Sequence, residues 1–508
     1  MKKINLKNIS FTLLATFVLV SCDNYLDINE SPNGPSGQKL VPEIVMPGAQ
    51  TTTSATLLTT MNILGNTMVS TWSGNAQQIQ TPYSNEFQYL VTPEFYGNIW
   101  ENLYERTSNF THIIEFEDEK NYDYHKASSL ILRAYYFQYL VDLYGDIPYS
   151  EAHGRGNKLF PSYDDAETVY FSLISDINKA ILLIDNTNVA TVVSMGASDP
   201  MLGGDMDMWK KFGNTVKLRL LVRMMDKAQT DSSLDTFITN EIADINTTGM
   251  LLTSGENITI NPGYSDEANR MNPFAATFGY TPGNFGTTSQ QTTSNTATGP
   301  TTFLVDFLNG TTTGVIDPRL DELYTLRGSQ SVITGNIQGG NDNLPSRLGP
   351  GLLNSATQDG YIMTASEALF LQAEANHRGY LTIGNAKSYY DAAVQASFDM
   401  LNSGNANNII NSGINLLDWN ASTGNEIETI ITQKWIALGG TNGIETWIEF
   451  NRTGFPSNMP LPVSTSRTQR PYRLLYPSSE YVGNSSNVTP YNQTTQTAFT
   501  EKIFWDVN

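Results

Sequence analysis

The sequence predicts a mostly α-helical fold interrupted by long irregular stretches. Apolar residues recur at spacings of three and four along several separate segments, which places each set on one helix face. Two of these segments carry small residues on their faces and are joined by a short turn between Gly379 and Gly384. The periodicity fails between about residues 251 and 360 and again from Pro456 onward, where polar residues, Pro and Gly dominate.

The chain opens with a segment that does not belong to the fold. Lys2, Lys3 and Lys7 precede a short apolar run, Ile9 to Val20, and a membrane-spanning helix needs about 20 apolar residues. Leu19-Val20-Ser21-Cys22 closes the run in the manner of a bacterial lipobox. Residues 1–21 therefore read as a lipoprotein signal peptide, with Cys22 as the lipidation site and first mature residue. Residues 22–40 contain Ser31-Pro32-Asn33-Gly34-Pro35, which cannot continue a helix, and read as a lipidated extended leader. Residues 41–508 are expected to form a single domain with the loop-rich insertion at about 251–360.

Within that domain, Leu130, Ala134, Phe137, Val141 and Tyr144 predict one helix. Val169, Leu173, Ile177, Ala180 and Ile184 predict the next, with Asp164 and Asp165 ahead of it as cap and dipole partners. Trp209 to Asp226 predicts a third, amphipathic, with Lys and Arg on its polar side. Ala365, Ala368, Leu369 and Ala373 mark a fourth, and Ala386, Tyr389, Tyr390, Ala393, Ala396 and Met400 a fifth. This pair reads as a tetratricopeptide-type hairpin or as any antiparallel helical pair. Glu426 to Glu449 gives a sixth pattern, broken at Gly439-Gly440. Asn284 to Thr302 is expected to be loop or β-edge, too polar to bury.

Composition narrows the function. With 29 Lys+Arg against 50 Asp+Glu the chain carries −21, which excludes nucleic acid as a partner, because phosphate binding needs a basic patch. One cysteine excludes a disulfide framework and a cysteine-ligated structural zinc within one copy. No nucleophile elbow, Walker loop, H-E-x-x-H or dinucleotide fingerprint is present. His112, His125, His153 and His377 lack metal-ligand spacing, and Asp205-Met206-Asp207 lacks the remaining positions of a calcium loop and reads as a cap for the helix at Trp209. The carboxylate clusters Glu115, Glu117 to Glu119 and Asp164, Asp165, Glu167 read as solvated helix ends. No catalytic residue, metal or cofactor is assigned.

Several segments match a known family in its sequence order. Asp142-Leu143-Tyr144-Gly145-Asp146-Ile147-Pro148-Tyr149-Ser150-Glu151 resembles the D-x-Y-G-D-I-P-Y-S-E signature of SusD/RagB-like outer-membrane lipoproteins. Gly204-Asp205 with Trp209 to Arg219 is similar to their G-D-x-x-x-W-x-x-F-x-N-S-L-K-L-R helix, with Thr215-Val216 in place of Ser-Leu. Ser366 to Ala375 resembles their S-E-x-x-F-L-x-A-E-A segment. Gln433 to Ala437, Glu445-Thr446-Trp447, Arg452-Thr453-Gly454 (with Asn451 where a second Arg often stands) and Tyr472-Arg473 to Asn484 complete the order. The resemblance implies a tetratricopeptide-like α-superhelix wrapped by irregular loops and minor β segments. It also implies a non-catalytic surface lipoprotein of the outer membrane that captures oligosaccharide for a SusC-like TonB-dependent transporter. A peptide-capturing RagB-like member is the alternative, and a surface glycoside hydrolase the more distant one. Trp209, Trp435 and Arg219 are then expected to hold helices together, with the ligand contacts in variable loops.

A sugar needs a flat ring for its C–H face and amides or guanidinium groups for its hydroxyls. Ser70 to Gln78 offers Trp72 among small polar residues, with Asn75 and Gln77 beside it and Tyr83 following. Phe274 and Tyr280, opening the insertion, are a second platform. The alternatives are that Trp72 closes the first helix as core and that Phe274 and Tyr280 make ordinary loop packing. The glycan reading predicts that Trp72→Ala folds normally and loses affinity.

Overall fold

A computed structural model describes residues 40–508 apart from 155, 157 and 342. The expected signal peptide, the expected lipidation site Cys22 and nearly all of the expected leader lie outside the described residues. Helix α1 (Pro42–Thr56) begins at a proline, whose fixed φ and missing N–H suit the first helical turn. It runs through a π-turn, Leu57–Met61, into α2 (Asn62–Met68). Then come α3 (Gly97–Ile114), packed on α1, and α4 (Asp123–Tyr144), α5 (Ala166–Asn186), α6 (Met206–Ala228) and α7 (Ser232–Thr248), each packed on the one before it in sequence. The pair α8 (Ala365–His377) and α9 (Ala386–Leu401) forms a hairpin, tied by the Ser366 hydroxyl donating to the Ala393 carbonyl at 2.7 Å. Helices α10 (Glu426–Leu438) and α11 (Gly443–Thr453) are separated at the expected glycines. The result is a tetratricopeptide-like helical fold.

Capping follows the sequence. Asp165 accepts from the Thr168 N–H at 2.9 Å and Asp205 from the Met208 N–H at 3.0 Å. Asp164 does something else: it accepts from the backbone N–H groups of Tyr149 and Ser150, both at 2.8 Å, and so folds back the end of the Asp142–Glu151 motif.

The polar side expected for α6 faces inward at its arginines. Arg219 and Arg223 are fully buried, because that polar side packs against α4, α8 and α11, and Arg219 joins helices as the family resemblance implies. There Arg219 meets Glu367 at 3.0 Å, and Arg223 meets Glu445 at 2.6 Å and Asp142 at 3.3 Å. Lys434 reaches Glu445 at 3.1 Å, and Arg452 pairs with Glu449 at 2.5 Å and Glu374 at 2.8 Å. The recurrent motifs of the sequence are therefore one buried ion-pair network joining five helices. Trp209 and Trp435 hold helix ends beside it, their indole N–H groups donating to Asp199 at 2.8 Å and to the Val69 carbonyl at 3.0 Å.

A close helix crossing sets where α2 ends. A Cβ on Gly65 would lie 1.9 Å from the Gly443 carbonyl carbon, so α2 and α11 touch backbone to backbone. Beyond that crossing the chain leaves the helices as β1 (Trp72–Gly74). The insertion holds β2 (Ile258–Ile260), β3 (Thr298–Pro300), β4 (Tyr324–Thr325), β5 (Arg347–Leu348) and β6 (Gly360–Met363). These pair antiparallel as β1–β3, β2–β6 and β4–β5. The end of the Asn284 to Thr302 stretch is buried after all: Asn295, Thr298 and Thr301 are at most 3% exposed. They can be buried because their polar groups are satisfied, as where the Asn295 amide donates to the Phe278 carbonyl at 2.6 Å.

Candidate ligand-binding cleft

Pairing of β1 with β3 places the loop after α2 against the insertion, with Trp72 opposite Pro300 and Gly74 opposite Thr298. A cleft of about 420 Å³ opens there. Gly74, Ala76, Gln80, Thr81, Pro82 and Phe87 form one wall; Gly339, Gly340, Asn341 and Ser464 form the other. The second wall is fixed by side-chain amides acting on backbone carbonyls. Asn336 donates to the carbonyls of Gly74 (3.1 Å) and Gly340 (3.0 Å), and Gln338 to those of Thr67 (2.7 Å) and Trp72 (2.8 Å). Ser464 donates to the Phe87 carbonyl at 2.9 Å, and a Cβ on Gly339, at φ +75°, would fall 2.2 Å from its hydroxyl oxygen. That position requires glycine.

Backbone strain gathers at the same place. Among the described residues eleven non-glycine residues have positive φ, and Ser70, Thr81, Tyr83, Tyr89 and Tyr96 are five of them. Left-handed tyrosines cost on the order of 1 kcal/mol each and persist only where the surroundings fix them. Two buried arginines brace the backbone around the cleft. Arg327 donates to the Pro345 carbonyl (2.8 Å), Gln78 (3.1 Å) and the Thr298 carbonyl (3.2 Å); Arg470 donates to the Met68 carbonyl (2.8 Å) and Ser70 (3.2 Å). Burial, with the like charge of Arg347 nearby, pulls Arg327 down to about 10. None of the described residues lining the cleft is acidic or basic. It offers hydroxyls, amides, backbone groups and small apolar surfaces, which suits recognition of an uncharged hydroxylated ligand rather than proton transfer.

The expected ligand residues fall in different places. Trp72 is corrected: it is 0% exposed, its indole edge-on to Phe278 at 5.0 Å, and it presents no face to a ligand. Asn75 is also buried, its amide clamping Gln78 (2.8 Å) and the Thr296 carbonyl (2.9 Å). Gln77 is exposed on the turn between cleft-lining Ala76 and Gln80. Tyr83 is half-buried at the cleft edge, its hydroxyl held by Thr298. Phe274 is 6% exposed and packs on Phe278 at 4.8 Å, so its stacking role is corrected too. Tyr280 is half-buried against Phe285 at 5.1 Å. Thus the two proposed platforms do meet, through Phe278, but as interior packing. Sequence reasoning missed Gln80, Gly339 to Asn341 and Ser464; the Gly-Gly-Asn turn was the available signal.

Among the described residues no group of three His, Cys, Asp or Glu side chains is placed to hold a metal ion, and no helix is long and apolar enough to cross a membrane. Residues 43–477 match the SusD-like family described as starch-binding, associating with the outer membrane. The chain belongs to that family. No curated protein sequence matches it. Among solved structures, a chitin-binding SusD homologue from Flavobacterium johnsoniae is similar with TM-score 0.71 and 22% identity, over 91% of this chain and 99% of that one. A SusD homologue from Bacteroides thetaiotaomicron gives TM-score 0.69 and 21% identity, over 92% and 100%. A SusD/RagB family protein from the same organism gives 0.69 and 18%, over 92% and 99%. At these identities the likeness is one of fold.

Proposed function

We propose that this member of the SusD-like family is a non-catalytic glycan-binding lipoprotein of the cell surface. A lipid on Cys22 anchors it to the outer membrane through the leader, and it hands oligosaccharide to a SusC-like TonB-dependent transporter. The observation that carries the reading is the uncharged loop cleft, rigidly tied and lined by amides, hydroxyls and glycines. A sugar chain laid against Pro82 meets Gln80, Asn341 and Ser464 at its hydroxyls, and the glycines admit its ring close to the backbone. The family description and a chitin-binding structural neighbour support a polysaccharide-derived ligand.

The natively processed protein, screened on a glycan array and in a reducing-sugar assay, is expected to bind at least one neutral oligosaccharide and release no sugar. Its N-terminal peptide is expected to carry a diacylglyceryl mass at Cys22. Binding only to a peptide library transfers the cleft to the peptide-capturing alternative, and sugar release contradicts the non-catalytic role.

A further inference from the structure

A second cavity, of about 480 Å³, shares no lining residue with the cleft. It lies between α3, α4 and α5 and is closed at one end by the last residues of the Asp142–Glu151 motif, Tyr149 and Ser150. At its floor Asp176, 6% exposed, accepts from Arg133 (2.7 Å), the Tyr149 hydroxyl (2.6 Å) and Lys179 (3.1 Å). Burial alone would raise the Asp176 carboxyl, but Arg133, Tyr149 and Lys179 outweigh it and hold it below the ordinary range. A buried ion pair is weak as a stabiliser, so stability is a poor reason to set one at the floor of an open cavity.

What this floor achieves is orientation. With Asp176 saturated, the groups left open are the remaining N–H groups of exposed Lys179 and the exposed carboxylate of Glu115. Ser172 and Ser175 add hydroxyls, and half-buried Phe171 and Tyr149 add ring surface. Formal charge cancels across Arg133, Lys179, Asp176 and Glu115. An ammonium donor, a carboxylate, hydroxyls and aromatic edges around a cavity of balanced charge are the complement of vicinal hydroxyls on an uncharged sugar.

We propose that the groove between α3, α4 and α5 is a second binding site for a neutral saccharide, separate from the loop cleft. Calorimetry on the full mature chain with maltoheptaose, chitohexaose and cellohexaose tests this, comparing wild type with Ala76→Trp in the cleft and Ser175→Trp at an exposed groove position. The expected result is that Ala76→Trp leaves a residual binding event, that Ser175→Trp removes that event, and that the double variant binds nothing. Lys179→Met, at a side chain 65% exposed, should weaken the residual event about tenfold without shifting Tm. If Ala76→Trp alone abolishes all binding, the second site is overturned while the cleft stands. If the wild type binds none of the three sugars, the second site is overturned and the glycan reading of the cleft falls separately from it. If Ser175→Trp and Lys179→Met both leave the residual event unchanged, the groove is not its location.

Discussion

The buried network at α6 and the loop cleft solve opposite problems with the same residue type. Around α6, arginines are paired with carboxylates: Arg223 with Glu445 and Asp142, Arg452 with Glu449 and Glu374. Beside the cleft, Arg327 and Arg470 are satisfied almost entirely by carbonyls and neutral side chains. Charge paired with charge specifies how helices meet. Charge spent on carbonyls freezes irregular backbone that has no hydrogen-bond ladder of its own. A protein with a charge of −21 can thus carry a cleft with no charged side chain among its described lining residues, because the charges described are spent in the helical scaffold or on the surface.

This comparison breaks most visibly in the scaffold. Arg223→Met takes a cationic partner from both Glu445 and Asp142 in the interior and should lower unfolding free energy by about 3–5 kcal/mol, measured by denaturant titration. Trp72→Ala, expected from sequence alone to fold normally, should instead cost about 3–5 kcal/mol as a core cavity, and any affinity loss should track unfolding. An unchanged midpoint for either variant contradicts the packing described here.

The pH response sharpens the same contrast. Against burial, which would raise them, their Arg and Lys partners hold Glu374, Glu445 and Glu449 below the ordinary glutamate value of 4.5. The folded state therefore releases those protons more readily than the unfolded one. The stability they contribute is present above 4.5 and is lost as pH falls through their folded values. Burial raises Asp142 and Glu367, which take up protons in the folded state and offset part of the loss. Tm should be flat above the carboxylate range and fall below it, while glycan affinity at the uncharged cleft stays constant until unfolding begins. The smallest effect belongs to Gln80→Ala: loss of one exposed amide should weaken binding by about 1 kcal/mol without moving Tm.

The helices were legible because their apolar spacing is local. Val169 to Ile184 and Ala386 to Met400 needed no knowledge of their neighbours, and Asp165 and Asp205 announced their caps. Spacing alone marked a polar face on α6 but not its burial, because only α4, α8 and α11 closing over Arg219 and Arg223 take it out of water. The site failed for the same reason in reverse. A Trp among Ser, Thr and Asn looks like a sugar platform, yet β1–β3 pairing turns Trp72 inward, toward Phe278. Ser464 meets Phe87 and Asn336 meets Gly74 through contacts more than 200 residues apart in sequence, and no periodicity records these.

The most direct test of the central claim is calorimetry of Ala76→Trp beside the wild type, using the best ligand from the glycan screen and a thermal melt of each. Ala76 is half-buried in the cleft wall, so the indole should fill the cleft with no change in Tm while high-affinity binding disappears. Wild-type affinity in a normally folded Ala76→Trp protein would place the ligand elsewhere and contradict the account.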